Sequence, residues 1–207
     1  MPAGNTRGAE NRNAERRNME KTLLATEITR IVPLTDEQLE VILGYFHPFS
    51  AGKDAYLMRE GEVSQHMNFV LSGCLRIFFI NDAGQEATRH LAFEGQYATG
   101  LASFITGSPA FEFMQALEDT ELLRIERNDF YYLLNLIPIW ERFYRHYLED
   151  AYMNNLRIFR REITKDAKER YKELLARNPD VISRLPNKIV ASYLNMKPET
   201  LSRMKRG

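Results

Sequence analysis

The chain has 207 residues, of which 44% are apolar and 27% charged, and its 28 Lys plus Arg balance 28 Asp plus Glu. That composition excludes global disorder and suits a medium folded unit with a smaller companion. No apolar run nears the roughly 18–20 residues of a membrane-spanning helix, the first residues are polar where a signal peptide is apolar, and Cys74 is the only cysteine. A cytoplasmic protein is expected, with no membrane partner, no intrachain disulfide and no cysteine-built zinc or iron–sulfur centre; Cys74 reads as a small buried strand residue.

The zero net charge is unevenly distributed. Residues 21–156 carry 10 Lys plus Arg against 19 Asp plus Glu, whereas residues 157–207 carry 14 against 6. A cationic last quarter suits a polyanion, because each cation set beside a phosphate releases counterions; the plainer alternative is a solvated basic helix face.

Residues 1–18, "MPAGNTRGAENRNAERRN", lack the apolar side chains needed to offset ordering and are expected to form a disordered arm, with Met19 as an alternative start. A short helix is expected from Leu34, with Thr35 as its N-cap and Leu39, Ile42 and Leu43 on one side. Between 52 and 126 the glycines Gly52, Gly61, Gly73, Gly84, Gly95 and Gly107 punctuate β-rich runs such as "HMNFVL", "CLRIFFI", "EATRHLAF", "EFMQAL" and "TELLRI". Such spacing predicts an all-β sandwich, barrel or roll, with "NDAGQE" as a hairpin turn.

From Arg127 the pattern turns helical, first to Leu136 and then, past Pro138, to about Ile163. Trp140, Tyr144, Tyr147, Ala151, Asn154 and Ile158 recur at 4-3 spacing, and Leu148, Tyr152, Phe159 and Ile163 form a second stripe. Two stripes require two partners: one can lie on the β-roll and the other on the same helix of a second subunit, and we assign the first to such a homodimer seam of coiled-coil type; the plainer alternative is that both pack inside one chain. Thr164 is read as the N-cap of the next helix, which Pro179 closes. After it come two short helices: about Asn187 to Leu194, with Ile189, Val190 and Leu194 turned inward, and one opening on Pro198. Asn195 stands between them, where a left-handed backbone is needed. This is a helix-turn-helix, whose second helix enters the DNA major groove. Leu201 and Met204 face inward, leaving Lys197, Glu199, Thr200, Ser202, Arg203, Lys205 and Arg206 for double-stranded DNA. Arg203 and Glu199 suit base edges, and Lys188, Lys197, Lys205 and Arg206 suit phosphates.

Catalysis finds no support. His47, His66, His90 and His146 are scattered, no nucleophile-elbow or phosphate-loop pattern occurs, no histidine pair has metal-ligand spacing, and neither a histidine nor Cys74 has a specific claim to hold haem. No catalytic, metal or cofactor residue is therefore expected.

The order of elements, the stretch "FSAGKDAYLMREGEVSQHMNFVLSGCLRIFFINDAGQE" and the segment "PETLSR" (Pro198 to Arg203) resemble the Crp/Fnr superfamily of bacterial transcription regulators. The resemblance implies an α+β chain in four parts: an arm at 1–18, a cyclic-nucleotide-binding-like β-roll at 19–136, a dimerisation helix at 137–163 and a helix-turn-helix domain at 164–207. Two departures accompany it. Pro198 stands where many members have a DNA-contacting arginine, and no wing follows Gly207, so wing contacts are not expected. In cyclic-nucleotide-binding members a Gly-Glu turn and an Arg-Ser pair hold ribose and phosphate; here Leu101 follows Gly100, and Ala110 and Phe111 stand at the pair. That implies no tight cyclic AMP binding. Gly100, Leu101, Phe104, Ala110, Phe111, Phe113, Tyr152 and Met153 then either line a pocket for another small-molecule effector or fill the roll. The rival function is a ligand- or partner-sensing module whose DNA binding is weak or lost.

Overall fold

Glycine-punctuated apolar runs fold into two antiparallel sheets, flanked by helices, in a computed structural model that describes residues 21–206. The expected arm at 1–18 and the alternative start at Met19 lie outside the described residues. The described residues begin in a helix (α1, residues 21–31), followed by α2 (Asp36–Gly44), β1 (His47–Ala51), β2 (Tyr56–Met58), β3 (His66–Ser72), β4 (Leu75–Ile80), β5 (Glu86–Ala92) and β6 (Tyr97–Ala98). Then come α3 (Leu101–Thr106), β7 (Phe113–Ala116), β8 (Thr120–Glu126), α4 (Arg127–Leu136), α5 (Trp140–Thr164), α6 (Ala167–Arg177), α7 (Val181–Arg184), α8 (Asn187–Tyr193) and α9 (Pro198–Met204).

One sheet has the order β1-β8-β3-β6 and the other β2-β7-β4-β5. Strand alternation gives the first sheet two buried faces. Met67, Phe69, Leu123 and Ile125 meet α1, α2, α4 and the first turn of α5, in a core with Leu24, Ile28, Phe46, Phe130, Trp140 and Phe143. Their neighbours Val70 and Leu122 point the other way, between the sheets, with Met58, Leu75, Ile77 and Met114. The ring of Trp140 stacks on Phe143 with centroids 4.2 Å apart and planes at 4°. Burying rings of this size contributes about 1.5–3 kcal/mol each.

Helix boundaries follow their caps. Thr35 caps α2 in a reciprocal capping box with Gln38. The cap of α6 is Asp166, boxed with Glu169, whereas Thr164 ends α5 and donates its hydroxyl to Arg160 O at 2.8 Å. The expectation for Thr164 is thereby corrected: Asp166 offers a charged acceptor at the positive end of the new helix. Three helices, α1, α3 and α7, had no counterpart in the sequence reading. For α1 the signal was Leu24, Ile28 and Val32 at four-residue spacing; for α7 it is only a single turn.

A third core joins the roll to the C-terminal helices. Cys74, Leu91, Phe93 and Leu117 of the roll pack with Leu174, Val181, Leu185, Ile189, Val190, Ala191, Leu194 and Leu201.

Candidate effector cavity and nucleic-acid interface

The turn of the helix-turn-helix is anchored by arginines from the preceding helices. Asn195 takes a φ of 48°, as its place between α8 and α9 requires. The last carbonyls of α8 have no helical partner, and Arg170 supplies one, donating Nε to Leu194 O at 2.8 Å and Nη2 to Asn195 O at 3.2 Å. Arg161 donates to Tyr193 O at 3.2 Å, and Asn195 Nδ2 donates to Glu162 at 2.8 Å. Part of the cationic excess of residues 157–207 is thus structural rather than available to a polyanion.

The second helix, α9, opens on Pro198 at its first turn and buries Leu201 completely. Lys197, Glu199, Arg203, Lys205 and Arg206 are exposed, and Thr200, Ser202 and Met204 are half-buried. Lys197, Arg203 and Arg206 have no ion pair among the described residues. Two of the expected phosphate ligands are engaged within the chain: Lys205 Nζ donates to Asn187 Oδ1, and Lys188 Nζ lies 3.6 Å from Glu86 Oε1.

Helix α8 is docked on the roll. Ser192 Oγ donates to Glu86 O at 2.9 Å and accepts the N–H of Thr88 at 2.8 Å, so it binds the backbone of β5. Below it Arg184 donates to Glu94 through Nη1 (3.0 Å) and Nη2 (2.8 Å), to Gly73 O at 3.2 Å, and to Glu118. Glu94 is held below the usual carboxylate range: burial alone would raise it, but the hydrogen bonds from Arg184 and the Gly73 N–H outweigh that.

Between roll and helices lies a cavity of about 710 Å³, within the usual size of small-molecule sites. Ile77, Phe79, Arg89, His90 and Leu91 of β4 and β5 form one wall, and Leu101, Ala102 and Ile105 of α3, with Phe111 and Glu112, form another. Tyr147, Asp150, Ala151, Asn154 and Asn155 of α5 close it, and Arg177, Asn178 and Tyr193 bring in the C-terminal unit. Burial, then Arg89, push the His90 imidazole down to about 4, so it is neutral. Burial raises Glu112 against the opposing pull of Arg89, and burial raises the Tyr147 hydroxyl.

Of the eight expected effector residues, Leu101 and Phe111 line this cavity and the other six do not. Gly100 is buried at the N-cap of α3, where a Cβ would come within 2.6 Å of Met58 Sδ. Phe104 turns into the core, edge-on to Phe130 at 5.6 Å. Ala110 is buried, its backbone bonded to Gly61 and Glu62, and Phe113 stacks on Phe78 at 5.1 Å. Tyr152 and Met153 are 64% and 45% exposed, because 100° per residue carries them off the face that Ala151 and Asn154 present to the cavity. Sequence reasoning missed the polar members Arg89, Glu112, Asn154 and Asn178. For Arg89 and Glu112 the local signal was a charge inside a strand-like run, whereas Asn154 falls in the stripe assigned to the dimer seam and Asn178 gave no signal.

The stripe assigned to a dimer seam is also corrected. Trp140 is fully buried in its own chain, Tyr144 shares a hydroxyl contact with Tyr131 at 3.1 Å, and Tyr147 packs edge-on to Tyr97 at 5.9 Å. Ala151 and Asn154 line the cavity, and Ile158 is half-buried. Among the large apolar residues of α5, Tyr152, Met153, Leu156, Phe159 and Ile163 are exposed, and Tyr152, Leu156, Phe159 and Ile163 form one stripe.

Comparison with known proteins agrees with this architecture. Residues 48–136 match the family model of the cyclic nucleotide-binding domain. The chain is 28% identical over 106 residues to the cyclic AMP receptor protein of Thermus thermophilus, covering 51% of this chain and 49% of that one. It is 27% identical over 113 residues to the human patatin-like phospholipase domain-containing protein 6, covering 54% of this chain but 8% of that protein. The matched stretches therefore span half or less of these relatives. Among solved structures, FixK2 of Bradyrhizobium japonicum superposes with a TM-score of 0.69 at 16% identity, over 78% of this chain and 83% of that one. A protein of Eubacterium rectale described as a regulator of the Crp/Fnr family gives 0.65 at 19%, over 84% and 82%. The chain thus carries a cyclic nucleotide-binding-type roll. As a whole it has the Crp/Fnr-type fold. Among the described residues no helix is long and apolar enough to cross a membrane, and no cluster of three metal-ligating side chains occurs.

Proposed function

We propose that the chain is a cytoplasmic, homodimeric transcription regulator that reads a near-palindromic operator with α9 and takes a small-molecule effector other than cyclic AMP. The observation that supports it best is α9 itself: a short helix on a Crp/Fnr-type fold, with Arg203 and Arg206 exposed and unpaired among the described residues. Glu199, Thr200, Ser202 and Arg203 face the base edges, and Lys197 and Arg206 face phosphates. Two copies pair along the exposed stripe of α5 and set their α9 helices on successive major-groove turns, roughly 34 Å apart. The 710 Å³ cavity receives the effector, and because Asn178 and Tyr193 line it, a ligand there touches sensor and DNA-reading unit together.

The test is selection of bound sequences from random duplexes by the purified chain without added ligand. Enrichment of a two-fold symmetric site is expected. Arg203→Ala should then lose about 1–3 kcal/mol of discrimination at one base pair, and Arg206→Ala should weaken all sequences alike and lower the salt slope. The second reading, a sensing module with weak or lost DNA binding, draws on the docking of α8 against β5. Absence of enrichment at low salt would favour it.

A further inference from the structure

The charges in the cavity wall limit what it can hold. Four formally charged side chains line it, Arg89 and Arg177 against Glu112 and Asp150, so positive and negative groups balance in number. The two least exposed of them are committed to each other. Arg89 donates Nε to one oxygen of Glu112 at 3.1 Å and Nη2 to the other at 3.2 Å, with side-chain exposures of 25% and 4%. A parallel pair of N–H···O bonds is how a guanidinium grips a phosphate or carboxylate, and here the chain's own carboxylate already fills that grip. Toward solvent, Asp150 lies 3.6 Å from His146 Nε2.

We propose that the cavity takes an uncharged ligand with a flat apolar body and hydrogen-bonding edges, and that Glu112 bars anions by serving as the built-in counter-ion of Arg89. This rests on the cavity being the effector site. An entering anion meets the Glu112 carboxylate, finds the inner guanidinium occupied, and loses its hydration with no compensation from Arg89, leaving only the exposed Arg177 at the rim. A neutral ring system loses little. Phe79 and Phe111, stacked at 6.0 Å and 9°, line the cavity, Phe111 being 58% exposed; Asn154 and Asn178, which carry amides, line it too.

Calorimetric titration and thermal unfolding of the full chain with cyclic AMP as the anionic probe test the role of Glu112. The wild type should show no saturable binding. Glu112→Ala and the volume-preserving Glu112→Gln should each gain at least about tenfold in affinity, and cyclic AMP should raise their melting temperature. The double variant Arg89→Ala/Glu112→Ala should lose the gain. A wild type that binds cyclic AMP as tightly as Glu112→Ala overturns the proposal, and so do two variants that are folded by circular dichroism yet gain nothing. For the ligand class, size-matched neutral and anionic fragments are screened on the wild type by ligand-observed NMR. Neutral hits that Leu101→Trp abolishes are expected; anionic hits, or none, overturn that half. Failure of the DNA selection would remove the regulator reading and leave these outcomes unchanged.

Discussion

Gly73 joins β3 to β4 where the roll touches the C-terminal helices, and its backbone has no room for a side chain. With φ at +99°, a Cβ would stand 2.5 Å from Thr120 Oγ1 and 2.8 Å from the backbone of Asp119 and Thr120. Gly73→Ala therefore combines left-handed strain with a backbone clash, and we expect a loss of about 2–5 kcal/mol in urea-denaturation stability. The next residue, Cys74, is fully buried; burial first, and the Glu118 carboxylate second, push its thiol up to about 12. At pH 8 almost no thiolate is present. Labelling by a maleimide should be negligible in the native protein and should rise with denaturant in step with unfolding, and fast labelling without denaturant would contradict the buried placement. Arg76, 4% exposed, lies 3.8 Å over the Phe78 ring and donates to Gln115 and Glu86, an arrangement that leaves no cation unpaired in the sheet.

At the scale of elements, α5 has two apolar faces with different fates. Its first two turns bury Trp140 and Phe143 in the roll's own core, and its last three turns leave Tyr152, Leu156, Phe159 and Ile163 in solvent at 4-3-4 spacing. If the chain pairs along this stripe as proposed, replacing Leu156 and Phe159 together by Glu should give a monomer in sedimentation velocity where the wild type is a dimer, while thermal stability of the roll persists, because neither side chain enters a core. By contrast Trp140→Ala should cost about 3–5 kcal/mol of stability. Strands β3, β4, β5, β7 and β8 were legible because turn residues bracket each run and alternation marks the buried face. The same logic read α8 and α9 from Asn195 and Pro198. The ownership of the α5 stripes was not legible, since a 4-3 period states that a face is buried but not by what. The cavity was legible only at Leu101 and Phe111, since its chemistry comes from Arg89 and Glu112, which are remote in sequence and meet only when β5 and the segment before β7 close the roll.

At the scale of the whole molecule, the question is how firmly the C-terminal unit is held to the roll. The seam combines the apolar cluster around Leu91 and Ile189 with polar ties from Ser192 to β5 and from Arg184 to Glu94 and Glu118. Arg184→Ala should leave the roll intact and release the seam, seen as faster amide exchange in Ile189–Ser192 and in β5 with β3 and β8 unchanged. The pH dependence has a definite sign. Glu94 is lowered below its ordinary 4.5 by the hydrogen bonds of Arg184 and the Gly73 N–H in spite of burial, and Glu86 is lowered by Arg76 and Lys188 in spite of burial. Folded-state depression makes the tie fully present above the ordinary carboxylate value and lost as pH falls through the lowered one. Exchange in α8, corrected for its intrinsic pH dependence, should accelerate below about pH 4.5 in the wild type and less steeply in Arg184→Ala, where only the Glu86 contribution remains. If α8 instead exchanged in step with β3 and β8 under every condition, roll and C-terminal unit would open as one body, and a ligand bridging them could not act by shifting their relative orientation.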